Sequence, residues 1–254
     1  MKLIKTLLTS IILLVSITAW AQGTPKQVSV FIPTIQQEAT SIWRTINSID
    51  FFEKQGYTVN LPQDRLIDSL IQKAKQKTFS QLDYAPIYEL LALKVYKAGD
   101  YTLALQKVQT QQPLLNTMLK RLDSLRKTWN WDFVMFDSYA VVFTLYGSGG
   151  SYDPSSGSIT LLTTSQGSFK NYRNPANTII HEIVHLGIEA SIVQTFNIPH
   201  LVKERVVDQI VYLLFKDLLP EYAIQEMGDP DLAELLKQPD DIINLNSILG
   251  AYKR

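Results

Sequence analysis

The chain has 254 residues, 46% of them hydrophobic, enough for one sizeable core or two small ones. Lys plus Arg and Asp plus Glu stand at 24 each, so the formal net charge is zero, which argues against a nucleic-acid binder that needs an electropositive face. Cysteine is absent, which excludes disulfides, thiol catalysis and a lipid-modified cysteine at a mature N-terminus.

The first stretch reads as an address rather than as structure. Lys2 and Lys5 give a positive start, and Leu7 to Ala19 is an almost unbroken apolar run. Ala19-Trp20-Ala21 is a small-x-small cleavage site, with Gln22 as the first mature residue. Residues 1–21 are therefore expected to be a Sec-type signal peptide, too short and wrongly flanked for a stable membrane span. The mature chain is expected to be exported, periplasmic or secreted, in a bacterial style. No second apolar stretch approaches spanning length.

The mature chain divides by texture into an N-terminal helical region, 22–130, and a second region, 131–254. Gln27 to Ile32 alternates weakly, as a short strand would. Ile42, Ile46, Ile49 and Phe52 fall at helical spacing between Gln36 and the stop at Gly56. Pro62 is expected to open a second helix through Leu66, Leu70 and Ile71 to about Lys77. A third covers Pro86 to Ala98. A fourth runs from Tyr101 or Leu103 to about Trp129, with Leu114, Met118, Leu122 and Leu125 on one stripe, kinked or divided by Pro113. Residues 88–108 resemble one tetratricopeptide unit. With no second copy to stack on, they read as a helical hairpin in an ordinary domain.

The texture changes near Trp131. Phe133 to Phe136 and Tyr139 to Tyr146 are rich in β-branched and aromatic residues and predict strands. A turn-rich loop follows over 147–157, and Ser158 to Thr163 resumes a strand, which suggests a long hairpin. Asn174-Pro175 starts the next helix, with Asn177 as a competing cap. Ile179, Ile180, Ile183, Val184, Leu186 and Ile188 make that helix apolar almost all round, so it should be buried. Pro199 marks a further helix start, and Glu204 to Leu219 runs helically to Pro220. Two short helical pieces, Leu232 to Lys237 and Ile242 to Tyr252, are expected near the C-terminus.

The buried helix carries His181-Glu182-Ile183-Val184-His185. There are three histidines in the chain, His181, His185 and His200, and two of them fall here. Four residues apart on a helix, His181 and His185 share one face and can hold one zinc ion between them. Glu182 sits where its carboxylate can reach a metal-bound water. Eighteen residues separate His185 from Glu204, and Asp208 lies one helical turn further on. HExxH is short and occurs by chance, and a histidine pair can simply be hydrogen-bonded in a core. A buried His-Glu-His without a metal or cationic partner is costly, however, and the downstream ExxxD is independent support.

HExxH, a gap of eighteen and ExxxD resemble the gluzincin zinc metallopeptidases. The resemblance covers some thirty residues. It implies an α+β, mainly helical zincin-like fold with a short β-sheet or hairpin beside the HExxH helix. It implies one Zn2+ per chain held by His181, His185 and Glu204, Glu182 as general base, and a peptide or protein substrate. Asp208 would accept the second ring N–H of His181 and fix its tautomer. An edge strand precedes the zinc helix in the family, and residues 157–163 hold the matching place in chain order. Tyr212, Tyr222 and His200 are candidates for stabilising the transition state. Two features depart from the family: Lys203 stands where it has Asn, and the Gly-x-Met-x-Asn exopeptidase motif is absent.

Two other readings stay open at this stage. One is a zinc-binding protein without catalysis, and the other is a helical protein-interaction module with an accidental motif. The third ligand also has a rival. Glu189 shares the face of both histidines, but 181, 185 and 189 span about 12 Å of a continuous helix, too far for one ion. Only a break at Gly187 would bring Glu189 back.

Overall fold

The computed structural model describes residues 26–170, 173–226 and 228–252. The expected signal segment, 1–21, lies outside the described residues.

Four short strands form one mixed sheet in the order β1-β2-β4-β3. β1 (Gln27–Phe31) lies parallel to β2 (Ser138–Thr144), and β2 lies parallel to β4 (Ser158–Leu162). β3 (Ser151–Asp153) pairs antiparallel with β4. Alternate residues Tyr139, Val141, Phe143, Ile159 and Leu161 are buried, so one face of the sheet is the core face.

This pairing corrects two expectations. Tyr139 to Tyr146 and Ser158 to Thr163 are not a hairpin, because β2 and β4 run parallel. The hairpin is β3 with β4, and its turn is built on Asp153, whose carboxylate accepts the Ser155 N–H at 2.9 Å. β4 is consequently interior, and the edge strand beside the motif helix is β3 rather than residues 157–163. A third expectation also changes: Phe133 to Phe136 is not a strand. Its aromatic content serves packing instead. Trp129 and Trp131 stack at 5.0 Å with Phe133 edge-on, and Trp131 Nε1 donates to the Ile242 carbonyl at 2.7 Å.

The helices follow their caps and stripes. α1 (Ile35–Asn47) begins at a reciprocal capping box between Thr34 and Gln37. The helix expected over 36–56 breaks at Ser48, giving a separate α2 (Ile49–Lys54). α3 (Arg65–Lys75) is capped by the Asp64 carboxylate rather than opened by Pro62. α4 (Tyr84–Leu90) runs into a wide turn over Leu91–Val95. α5 (Thr102–Thr110) and α6 (Gln112–Leu125) are divided as expected, with Pro113 in the first turn of α6, where its missing N–H costs nothing.

Two apolar cores result. The smaller packs Ile42, Ile46, Ile67, Leu70 and Ile87 from α1, α3 and α4. The larger gathers the inner face of the sheet, α5, α6 and the motif helix, from Val28 to Leu249. The cores therefore do not divide at residue 130, since β1, α5 and α6 belong with the C-terminal region. Glu38, buried on α1, ties the two together. It accepts from the hydroxyls of Tyr101 and Thr144 and from the Leu145 N–H at 2.9 Å.

The motif helix, α7 (Ala176–Ile188), is buried at every residue except Thr178. Asn174 Oδ1 accepts the Ala176 N–H at 2.9 Å, which makes Asn174 the capping side chain and puts Asn177 in the first turn. The helix runs straight through Gly187. A Cβ there would sit 1.9 Å from Phe133 Cζ, so the glycine makes room for an aromatic ring and does not turn the chain. α8 (His200–Phe215) starts after Pro199 and packs along α7. The C-terminal pieces are α9 (Pro230–Ala233), a tight turn over Pro239–Asn244, and α10 (Leu245–Tyr252). The expected class, mainly helical α+β with a small sheet beside the motif helix, is the one found. Among the described residues no helix is long and apolar enough to cross a membrane.

Candidate metal centre

α7 presents His181 and His185 one turn apart, with ring centroids 4.7 Å from each other. α8 brings Glu204 against both from the side. His181 Nε2 lies 3.0 Å from His185 Nε2, and Glu204 Oε2 lies 3.4 Å and 3.3 Å from those two nitrogens. All three residues are at most 9% exposed. A tetrahedral ion held at about 2.0–2.1 Å separates its ligand atoms by about 3.3 Å. The three observed edges, 3.0, 3.3 and 3.4 Å, lie within about 0.3 Å of that figure. Two imidazole nitrogens and a carboxylate oxygen aimed at one point are also the borderline N/O donor set that transition metals favour. His181, His185 and Glu204 thus form a buried group that can hold a metal ion.

The far side of His181 is held by two residues. Tyr222 OH lies 2.8 Å from Nδ1 and donates to Asp208 Oδ1 at 2.7 Å, while Asp208 Oδ1 itself is 3.3 Å from Nδ1. With its proton given to Asp208, the Tyr222 hydroxyl accepts from Nδ1–H, which leaves the Nε2 lone pair facing Glu204 and His185. Asp208 Oδ2 accepts the Gln225 N–H at 2.9 Å. Tyr222 is therefore placed to orient a ligand. It lies across the imidazole from the converging atoms, which removes it as a candidate for contact with a reacting group.

Burial and hydrogen bonding compete at every titratable group of the site. Burial alone would depress the His181 imidazole, but hydrogen bonds to Asp208 and Glu204 outweigh it and raise the group to about 10. Burial depresses His185 to about 4 despite Glu204. Burial would raise Glu204, yet its hydrogen bonds to the two histidines hold it well below the usual carboxylate range. Asp208 is likewise held low against burial, chiefly by His181. Glu182 is pushed up to about 7, first by burial and then by Glu204.

The ligands open onto a cleft of about 610 Å³. Glu182 lines it, and its carboxylate lies against the loop before β3, where a Cβ at Gly150 would come within 2.3 Å of Oε1. His200 lines it as well. Its Nε2 is 3.0 Å from Tyr57 OH, and its Nδ1 is 3.5 Å from Glu204 Oε1. Tyr212 is not among the residues of the cleft and packs under the Lys216 ammonium. Glu189 is outside the ligand group and accepts the Tyr152 hydroxyl at 2.7 Å. Tyr57, Tyr152 and Gly150 escape sequence reasoning. They sit in loops or a three-residue strand, without any periodic pattern that could mark them.

No protein-family model, curated protein or solved structure matches this chain.

Proposed function

We propose that this chain is an exported zinc-dependent peptidase. The observation that carries the reading is the buried triangle of His181, His185 and Glu204 with the Glu182 carboxylate in the same cleft. Two histidines and a glutamate are a donor set of catalytic zinc, which keeps a fourth position for the reaction. When bound, zinc supplies a Lewis acid that acidifies water and polarises a carbonyl.

The residues of the chain do the remaining work. His181, His185 and Glu204 would hold the ion, and Tyr222 with Asp208 would fix the His181 tautomer. Glu182 takes a proton from the attacking water. The water oxygen bonds to the carbonyl carbon, the C–N bond breaks, and Glu182 delivers the proton to the leaving nitrogen. His200 and Tyr57, hydrogen-bonded together at the wall of the cleft, would meet the substrate in this reading.

Metal analysis of protein purified without chelator, run beside a proteomic cleavage assay, tests the reading. About one zinc per chain and peptide cleavage are expected. Glu182→Gln should keep zinc and the fold while activity falls by about 10²–10⁴-fold. A zinc-loaded wild type that cleaves nothing would leave a metal-binding protein without this activity, and a metal-free one would remove the reading altogether. Export after Ala21 belongs to the same proposal, and an intact mass that does not begin at Gln22 contradicts it.

A further inference from the structure

We propose that Tyr152 is the positioning residue for His185, with its ring acting where a hydrogen bond normally would. The inference rests on the reading of His181, His185 and Glu204 as metal ligands. A ligating imidazole needs a fixed orientation, and its second nitrogen usually finds an acceptor that provides it. His181 has Tyr222 and Asp208. Among the described residues His185 has no such partner: its Nδ1 is buried and meets no hydrogen-bonding group of them.

What His185 has is a face. The Tyr152 ring lies 5.0 Å from the imidazole at an interplanar angle of 12°, a stacked pair. Tyr152 is the middle residue of the edge strand β3, paired across to Ile159 on β4, so its backbone is set by the sheet. Its hydroxyl is fixed from two directions. It donates to Glu189 Oε2 at 2.7 Å and accepts from Lys203 Nζ at 3.1 Å. The Lys203 ammonium also lies 5.4 Å from the centre of the same ring.

The connectivity gives this arrangement its meaning. Glu189 follows His185 by four residues, and Lys203 immediately precedes Glu204. One hydroxyl therefore links the chain stretches that carry two of the three ligands to the strand that walls the cleft. Glu189 and Lys203, the residues that fit least well with a simple zinc motif, acquire a role through Tyr152.

The test is zinc affinity of metal-free protein, measured by competition with a chromophoric chelator. Tyr152→Ala should weaken zinc binding by about 10–100-fold, the range for outer partners of metal ligands. Tyr152→Phe keeps the stacked ring and loses both hydrogen bonds, so its loss should be smaller, several-fold. Glu189→Leu, which removes the acceptor, should resemble Tyr152→Phe. The two together should do no more than either alone, because they cut the same link. The thermal midpoint of metal-free Tyr152→Phe should match the wild type. Wild-type affinity in Tyr152→Ala overturns the proposal while leaving the metal site intact. A metal-free Tyr152→Phe that melts early in proportion to its lost affinity also overturns it, because Tyr152 is then only a packing residue. A wild type that binds no zinc overturns this inference and the metal reading together.

Discussion

Gly150→Ala is the substitution that most directly probes the placement of the proposed general base. The added Cβ would meet Glu182 Oε1 at 2.3 Å, Thr178 Cγ2 at 2.9 Å and Glu182 Cδ at 3.1 Å. The backbone at Gly150 is not in the left-handed region, so alanine is conformationally acceptable there. The nearest clash is with the end of a flexible side chain, and the carboxylate can retreat by about 1 Å to ordinary contact. The Thr178 methyl, on a stiff β-branched side chain, must give as well, so stability should fall by about 1–3 kcal/mol. Catalysis is less forgiving, since a displacement of about 1 Å in a reacting group costs about 10²-fold. The expected result is a kcat lower by about two orders of magnitude in folded protein, with zinc content retained. Gly149→Ala is the control, because a Cβ there meets nothing within 4 Å, and it should turn over as the wild type does. Wild-type kcat in Gly150→Ala would refute the reasoning, as would loss of zinc, because none of the three ligands is touched.

Two further outcomes follow from packing and burial. Gly187→Ala drives a Cβ to within 1.9–2.3 Å of three Phe133 ring carbons; overpacking of about 1–3 kcal/mol should exceed the roughly 1 kcal/mol gained in helix propensity, and a urea midpoint above wild type would contradict the close approach. Burial raises the Glu38 carboxyl above its ordinary 4.5, against hydrogen bonds from Thr144, Tyr101 and Leu145, so the folded chain holds that proton more tightly than the unfolded chain. The stabilising contribution is full below the ordinary value and is lost as pH climbs through the raised one. Glu38→Gln should flatten the fall in thermal midpoint above about pH 4.5, and an unchanged pH slope would show that Glu38 does not titrate in this window.

The part of the site that lies on one helix was legible because its geometry is local. His181 and His185 are one turn apart, and only the helix itself is needed to bring them together. Glu204 was reachable through the gluzincin resemblance, whose gap of eighteen residues and ExxxD single it out. Tyr222 and Tyr152 were not legible in the same way. Tyr222 reaches His181 across 41 residues through an irregular segment, and Tyr152 reaches Glu189 across 37. Neither carries a pattern, so the sequence does not separate Tyr222, whose hydroxyl meets His181, from Tyr212, which does not line the cleft.

The fold divides along the same line. Helix existence followed from stripes such as Leu114, Met118, Leu122 and Leu125, of which the structure buries Met118 and Leu122 together with Leu115 and Leu119, whereas the caps at Thr34 and Asp64 emerge only from the structure. The sheet order did not, because it turns on β3, whose three residues are too few for a period-two signal. Once β3 takes the edge, β4 must lie between it and β2, and the expected hairpin becomes a parallel pair. Gly187 shows the same limit at one residue. Its role is set by Phe133, more than fifty positions away, and no local reading separates a glycine that turns a chain from one that admits a ring.

The central claim is that Glu204, and not Glu189, completes the metal site with His181 and His185. A zinc titration against a competing chelator, run on wild type, Glu204→Ala and Glu189→Ala, tests it most directly. Wild type should bind about one zinc. Glu189→Ala should still bind it, within about tenfold of wild type, because Glu189 acts only through Tyr152. Glu204→Ala should lose affinity by more than the ~100-fold upper range of an outer partner. Release of zinc by Glu189→Ala together with retention by Glu204→Ala would contradict the account.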